Sequence, residues 1–428
     1  MAERGIGTML HTKYLIVGSS HAGLAAADAI RMRDEDGLLT LVTQENSLPY
    51  SPTILPYIVS GKVDPEKVFL RDEAAFDRLG IRFMKDSRVM RLHAAEHTVT
   101  LAAGDVLEYE KALLATGAEP KSPLIPGLEK SSFFVLRTLE DAMKLRNAMK
   151  GIRTALVLGA GLIGMHAAEN LAGSGIKVIV VEALSQVLPG YFDTEASEMI
   201  QRVFSGQGIE TITGARVLNV ALSDGSVLIS LSTGRTLSVD LVLVAAGVQP
   251  RVGFLQGSGV ELDQGIVVDE RMKTSAEGIW AAGDVAQAGD FFDPVKRLSA
   301  TLPNAVDQGR IAGMDMVGDP AAKDFTGSIG LNTYKFFGHR AFAAGRSSIS
   351  KSDENFQVDQ VFLPSSFKYQ KLVFRKNRLV GALGIDSDLD PGVMVQLIRR
   401  AINLEEVMGR FGAAPVEVSR VLMSRMWR

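Results

Sequence analysis

Residues 154–182 limit what this 428-residue chain can fold into more than any other stretch. An apolar run over 155–158 feeds Gly159-Ala160-Gly161-Leu162-Ile163-Gly164, and an Ala- and Leu-rich helical pattern follows to Leu171. Gly173 and Gly175 break that pattern, and a second apolar run, 177–181, ends in Glu182. Strand, glycine turn, helix, strand and acid in this order make the dinucleotide fingerprint in its full context. Gly159 makes the tight turn, Gly161 has no side chain to hold the backbone off a pyrophosphate, and Gly164 lets helix and strand pack closely. The helix N-terminus offers unpaired N–H groups and partial positive charge to phosphates. At the strand tip, the Glu182 carboxylate can accept both hydroxyls of a ribose. A glycine turn alone would suit any α/β protein; both strands, the helix and the acid make the pattern specific.

The pattern recurs in weaker form near the start. Residues 13–17 read as a strand, Gly18-Ser19-Ser20-His21-Ala22-Gly23 opens an Ala-rich helix, and 38–43 is the next strand. Two such units in one chain predict an α/β protein. Ser20 replaces the middle glycine, at little cost in volume and with a hydroxyl that can face a phosphate. The acid is displaced: Thr43 and Gln44 precede Glu45, the candidate for the ribose. A first unit without ligand is the alternative reading.

Composition narrows the chemistry. With no cysteine there is no disulfide, no thiol nucleophile and no thiolate cage for an iron–sulfur cluster. The histidines (His11, His21, His93, His97, His166 and His339) show no metal-ligand spacing, so no metal is predicted. A net charge of −3 gives no broad pull toward nucleic acid or anionic membrane. No apolar run approaches the ~18 residues of a membrane span, and the N-terminus lacks a signal-peptide core. A cytoplasmic protein is expected.

The remaining chain reads in order. Residues 49–61, PYSPTILPYIVSG, predict a rigid loop and short helix, and 72–80 an amphipathic helix. Helices are predicted over 194–206 and 302–317, hairpins at Asp224-Gly225 and Thr233-Gly234, and a buried strand running into Gly283-Asp284. Residues 326–384 read as an antiparallel sheet and 391–428 as two helices, with a basic end at Arg420, Arg425 and Arg428. Val395, Ile398 and Ile402, then Val407, Met408 and Phe411, repeat at helical spacing, and the chain ends in Met426-Trp427-Arg428. These apolar faces either dock a partner subunit or fold back on the chain's own sheet.

The two fingerprints, the strand ends Ala115-Thr116-Gly117 and Ala246-Gly247, and Gly283-Asp284 together resemble the pyridine nucleotide–disulfide oxidoreductase superfamily, over residues 13–385. The resemblance implies two Rossmann-like dinucleotide-binding domains, the NAD domain inserted in the FAD domain, plus a C-terminal α+β interface domain. The FAD domain would comprise 12–118 and 248–318, the NAD domain 119–247, and the interface domain 319–428. The implied cofactors are FAD and NAD. For FAD, it implies Gly18, Ser20, His21, Ala22 and Gly23 at the pyrophosphate and Gly283 and Asp284 at the ribityl chain. Glu45, Pro49, Thr116 and Gly117 complete that site. For NAD it implies Gly159, Gly161, Leu162, Ile163, Gly164, Glu182 and Gly247.

Within the superfamily, PYSPTILPYIVSGK looks like the loop of nitrite-reductase, rubredoxin-reductase and coenzyme A-disulfide-reductase relatives. Thiol-dependent relatives carry a redox cysteine two residues before Leu-Pro-Tyr, where this chain has Thr53, so thiol-based chemistry is excluded. An Arg and a Lys of rubredoxin-reductase-like relatives are Pro52 and Tyr57 here, and the glutamate that can pair with that Lys is His166. Both halves of the pair are absent together, which implies a repacked flavin edge with Tyr57 and His166 as pocket residues. No catalytic acid or base is assigned, because the flavin itself does the hydride chemistry. More narrowly, GSSHAGLAAADAI with LPYSPTILPYIVSGKVDPEKV resembles the NADH-linked flavoprotein (epsilon) subunits of phenylglyoxylate dehydrogenases, 2-oxoacid:acceptor oxidoreductases of aromatic degradation. That likeness implies a hetero-oligomer whose partner subunits hold thiamine diphosphate and iron–sulfur clusters, while this subunit passes electrons to NAD. The alternatives are a free-standing NADH:rubredoxin, ferredoxin or nitrite-reductase-type reductase, and a flavin-binding interaction protein.

Overall fold

The computed structural model describes residues 9–223, 225–350 and 352–426. The chain divides into two compact units. One comprises Met1–Ile54, Pro65–Glu119 and Val248–Ser328; the other comprises Leu55–Asp64, Pro120–Gly247 and Ile329–Arg428.

In the first unit Tyr14, Leu15, Ile16 and Val17 are all buried, the pattern of a strand covered on both faces. The strand Met9–Val17 accordingly lies inside a mainly parallel sheet, between Leu39–Val42 and Val106–Leu114. The sheet continues to Ile81–Met84 on one side and through Thr98–Leu101 to Val89–His93 on the other. Ile279–Ala281 pairs in parallel with the end of Val106–Leu114, so a strand from late in the chain completes the early sheet.

Helices His21–Arg31 and Leu302–Met316 cross at very close range in this unit. A Cβ added at Gly309 would lie 2.1 Å from the Ala22 carbonyl oxygen, and one at Gly313 2.5 Å from that of Ala26. Residues four apart share a helix face, so the pair forms one flat contact strip. Gly309→Val is expected to force the helices apart at a cost of roughly 1–3 kcal/mol or more. Thermal unfolding, with flavin content after gel filtration, checks this; an unchanged melting temperature would contradict it.

The second unit holds a parallel sheet in the order Glu210–Ile212, Lys177–Val181, Thr154–Leu158, Leu241–Val244. Beside it run the three-stranded meander Val217–Ser223, Ser226–Leu231 and Thr236–Val239, and a five-stranded antiparallel sheet. The order of the latter is Leu331–Phe336, His339–Gly345, Arg378–Ile385, Lys368–Arg375, Gln357–Leu363. The parallel and antiparallel parts are joined through buried Asp193, which caps helix Thr194–Gly206. Its carboxylate accepts from Tyr369 Oη at 2.6 Å and Lys371 Nζ at 2.9 Å. The predicted turn residue Asp224 lies outside the described residues.

The C-terminal helices fold back on this unit. Pro391–Arg399 buries Met394, Leu397 and Ile398 against the antiparallel sheet, and the Phe411 ring meets Phe374 edge-on at 5.8 Å. Val418, on helix Pro415–Met426, is also buried. Ile398 and Phe411, read as possible docking residues, therefore belong to the chain's own core. The hydrophobic period fixed which face is buried but not its partner. Helix Pro415–Met426 is the second of the two expected helices, whereas the first is split into Pro391–Arg399 and Met408–Ala413. Trp427 and Arg428 lie outside the described residues, as do the side chains of Arg425 and Met426. Among the described residues no helix is long and apolar enough to cross a membrane.

Candidate functional site

Each unit carries one glycine turn at the end of a central parallel strand. In the second unit Gly159 has φ +106°, and an added Cβ would lie 2.4 Å from the Ala245 carbonyl oxygen. A Cβ at Gly164 would lie 2.0 Å from the Gly159 oxygen, so helix Leu162–Gly173 touches the strand end directly. Gly161, at the N-cap of that helix, meets nothing within 4 Å. The protein itself does not require glycine there, whereas a pyrophosphate approaching the backbone does. The Glu182 carboxylate is fixed by two backbone donors, Ala160 N at 2.7 Å and Leu184 N at 2.9 Å, and each oxygen keeps acceptor capacity. Ile163 and Leu184 are exposed apolar side chains around the turn. Leu162 opens the helix, and Gly247 follows the strand Leu241–Val244, its carbonyl accepting from Lys121 N.

The first unit repeats this geometry. Gly18 has φ +117°, with an added Cβ 2.1 Å from the Ala115 oxygen, and a Cβ at Gly23 would lie 1.9 Å from the Gly18 oxygen. Ser20 takes the N-cap of helix His21–Arg31, exposed and with its side chain making no capping bond. His21 Nε2 lies 2.9 Å from Ser51 Oγ, which lies 2.8 Å from Thr53 Oγ1. A short hydroxyl–imidazole chain therefore ends at Thr53. Burial lowers the His21 pKa, and the charge of Asp284 opposes that shift. Gly283, whose N–H donates to Gln308 Oε1 at 2.8 Å, and Ala22 lie side by side.

Gly18, Thr43, Gln44, Arg88, Thr116 and Arg251 line a cavity of about 350 Å³ in this unit. Thr116 Oγ1 donates to the Arg251 carbonyl, and Arg251 N donates to that of Gly117. Arg88 and Arg251 were not singled out in the sequence; each stands in a loop without a motif. The acid position differs between the units. Glu182 N donates to Ile212 O across the parallel sheet, and Thr43 N donates to Met84 O in the same way. Thr43 is thus the register counterpart of Glu182. Glu45 lies two residues on, does not line the cavity, and accepts from Tyr50 Oη at 2.5 Å. Pro49 is buried beside it, its carbonyl accepting from Leu70 N.

His166 lies two residues past Gly164 in the second unit, with its ring 4.6 Å from Tyr334, edge-on, and 6.4 Å from Tyr57. Burial holds its pKa down at about 4. The imidazole is neutral at pH 7, consistent with a packing rather than an acid–base role. The unfolded chain binds this proton near pH 6.5 while the folded chain resists until about 4. Stability is therefore present above that window and lost as pH falls through it, by up to about 3 kcal/mol. His166→Phe is expected to flatten this acid loss, read as a smaller fall in melting temperature from pH 7 to 4.5. Equal falls in both proteins would count against it.

Residues 12–309 match the family described as pyridine nucleotide-disulphide oxidoreductase. The chain belongs to that family. It is 48% identical, over 98% of its length and 99% of the relative's, to the protein named NADH-dependent phenylglyoxylate dehydrogenase subunit epsilon from Aromatoleum evansii. A rubredoxin-NAD(+) reductase of Pseudomonas putida is 29% identical over 71% of this chain and 80% of that one. Among solved structures, a ferredoxin reductase from Rhodopseudomonas palustris matches with a TM-score of 0.79 and 27% identity, covering 91% of this chain and all of that one. The protein is an FAD- and NAD(H)-dependent oxidoreductase of α/β fold, with Rossmann-like sheets. Both turns fit such cofactors: tight glycines against the strand ends, an open Gly161 and an unengaged Ser20 at helix N-termini.

Proposed function

We propose that this chain is the FAD-carrying, NAD-linked subunit of a 2-oxoacid oxidoreductase complex, exchanging electrons with an iron–sulfur centre on another subunit. The end-to-end 48% identity to a protein named as a dehydrogenase subunit carries this reading. The absence of cysteine agrees with it, since this chain has no thiolate to hold a cluster of its own. Residues 12–118 and 248–318 serve FAD, 119–247 serve NAD, and 319–428 form the interface domain. Gly18 and Gly23 bring the backbone to the FAD pyrophosphate, with Ser20, His21 and Ala22 at the helix N-terminus. Gly283 and Asp284 face the ribityl chain, Thr116 and Gly117 flank the cofactor, and Glu45 beside Pro49 serves its ribose. Gly159, Gly161, Leu162, Ile163 and Gly164 hold the NAD pyrophosphate, Glu182 accepts its ribose hydroxyls, and Gly247 borders the site. FAD held there would supply the exchange of one hydride with the nicotinamide and of single electrons with the iron–sulfur centre. Tyr57 and His166 shape the nicotinamide pocket without donating a proton.

Purification from the native host tests this. Copurification with iron–sulfur subunits and a 2-oxoacid-dependent reduction of NAD is the expected result. A free, active reductase would instead support the second reading, a shuttle-type enzyme, which the likeness to ferredoxin and rubredoxin reductases favours.

A further inference from the structure

The two glycine turns share one hydrogen-bonded frame. Gly159 N donates to Val181 O at 2.8 Å, and Gly18 N donates to Val42 O at 2.9 Å. The residues after those acceptors, Glu182 and Thr43, therefore stand at the same point beside their turns. Their chemistry differs. Glu182 presents a carboxylate, whereas Thr43 is 7% exposed and presents an uncharged hydroxyl, which accepts from Glu45 N at 3.3 Å. Gln44, next in the chain, is half-buried, and its amide makes no hydrogen bond among the described residues.

A cation comes to this point from the loop after Ile81–Met84. Ser87 N donates to Thr43 O at 2.7 Å, which fastens that loop to the strand tip. Arg88 follows Ser87, is exposed, and lines the same cavity of about 350 Å³ as Gly18, Thr43 and Gln44. It makes no ion pair among the described residues. The other charged groups of the lining answer each other. Gln249 Nε2 donates to one oxygen of Glu119 at 3.1 Å, and Arg251 Nε stands 3.6 Å from the second. Glu45 is outside the lining, with its carboxylate on Tyr50 Oη. Arg88 is thus an unanswered positive charge beside an uncharged strand tip.

We propose that the first turn accepts an adenine nucleotide with a phosphate on its ribose 2′-oxygen, and that Arg88 is the residue selecting it. The second turn sets a carboxylate against such a phosphate. At the first turn it would meet a hydroxyl, an amide and a free guanidinium, whose planar fork matches phosphate oxygens. The two turns of one chain therefore select in opposite senses, and nucleotides of this class compete with FAD for the empty first site. The inference rests on the assignment of that turn to FAD, not on the chain being a complex subunit.

Refilling of flavin-stripped full-length protein with FAD, followed by the quenching of flavin fluorescence, tests it. Adenosine 5′-monophosphate and adenosine 2′,5′-bisphosphate are compared as competitors; a nucleotide bound only at the second turn leaves the readout unchanged. The bisphosphate is expected to compete about tenfold or more better than the monophosphate, the scale of one charge-assisted contact. That gain is expected to vanish in Arg88→Met. Gln44→Glu, which adds a carboxylate to the lining, is expected to reverse the preference and serves where Arg88→Met does not refill. A bisphosphate weaker than the monophosphate, the result of Glu45 facing the ribose, would overturn the proposal and leave the FAD assignment standing. An equal gain in Arg88→Met would do the same. If neither nucleotide slows refilling at tens of millimolar, on the order of the weakest measurable affinities, the assignment of this turn to FAD falls and the proposal with it.

Discussion

Asp193→Ala is expected to lower the melting temperature by roughly 6–20 °C, from about 3–5 kcal/mol at 2–4 °C per kcal/mol. The carboxylate is a shared acceptor: Ala196 N, Tyr369 Oη and Lys371 Nζ all donate to it. The Asp193 and Lys371 side chains are only 7% and 5% exposed. Alanine would strand the Lys371 ammonium in the interior and uncap helix Thr194–Gly206, the latter alone costing about 1 kcal/mol. Lys371→Met removes the other charge and keeps the bulk, leaving Asp193 with Tyr369 and the helix cap, so its effect is expected to be milder. The double variant is expected to be more stable than Asp193→Ala alone, because it leaves no buried charge. A double-mutant cycle by thermal unfolding reads this coupling directly. Strict additivity would mean that Lys371 reaches water when its partner is gone.

NADH is expected to reduce the flavin at low concentration roughly ten- to a hundredfold better than NADPH, and Glu182→Ala to remove most of that preference. The two backbone donors that hold the Glu182 carboxylate set its direction before any cofactor arrives. A 2′-phosphate placed there would meet a like charge. The following residues, Ala183, Leu184, Ser185 and Gln186, offer no cation to offset it. Stopped-flow flavin reduction with both cofactors measures the ratio. Equal rates in the unaltered protein would contradict the assignment of Glu182.

The dinucleotide turns were legible in the sequence because their glycines answer to short-range sterics. Gly18 and Gly159 face carbonyl oxygens at distances that forbid any side chain, and the flanking apolar runs announce the strands. Helix Thr194–Gly206 was legible for the same local reason, a 3.6-residue period behind a capping aspartate. Features that depend on distant pairing were not. The equivalence of Thr43 with Glu182 exists only in sheet register, and Asp193 meets partners 176 and 178 residues away. Gly309 and Gly313 carry the four-residue spacing of a close helix contact, a signal that sequence reading passed over.

The strand Ile279–Ala281 has a consequence for how the chain is made. Leu113 and Leu114 pair with Trp280 and Ala281, which leave the ribosome long after them. At 5–20 residues per second the intervening segment takes on the order of 10–30 s to synthesise. Throughout that time one stretch of the early sheet shows open N–H and C=O groups, a template for mispairing with other nascent chains. Helix Leu302–Met316, whose glycines seat against His21–Arg31, arrives later still. The first unit therefore matures after the segment inserted into it has been translated. Chains cut short before Ile279 are expected to aggregate rather than persist as half-folded flavoprotein, and holding chaperones have their main task in that interval.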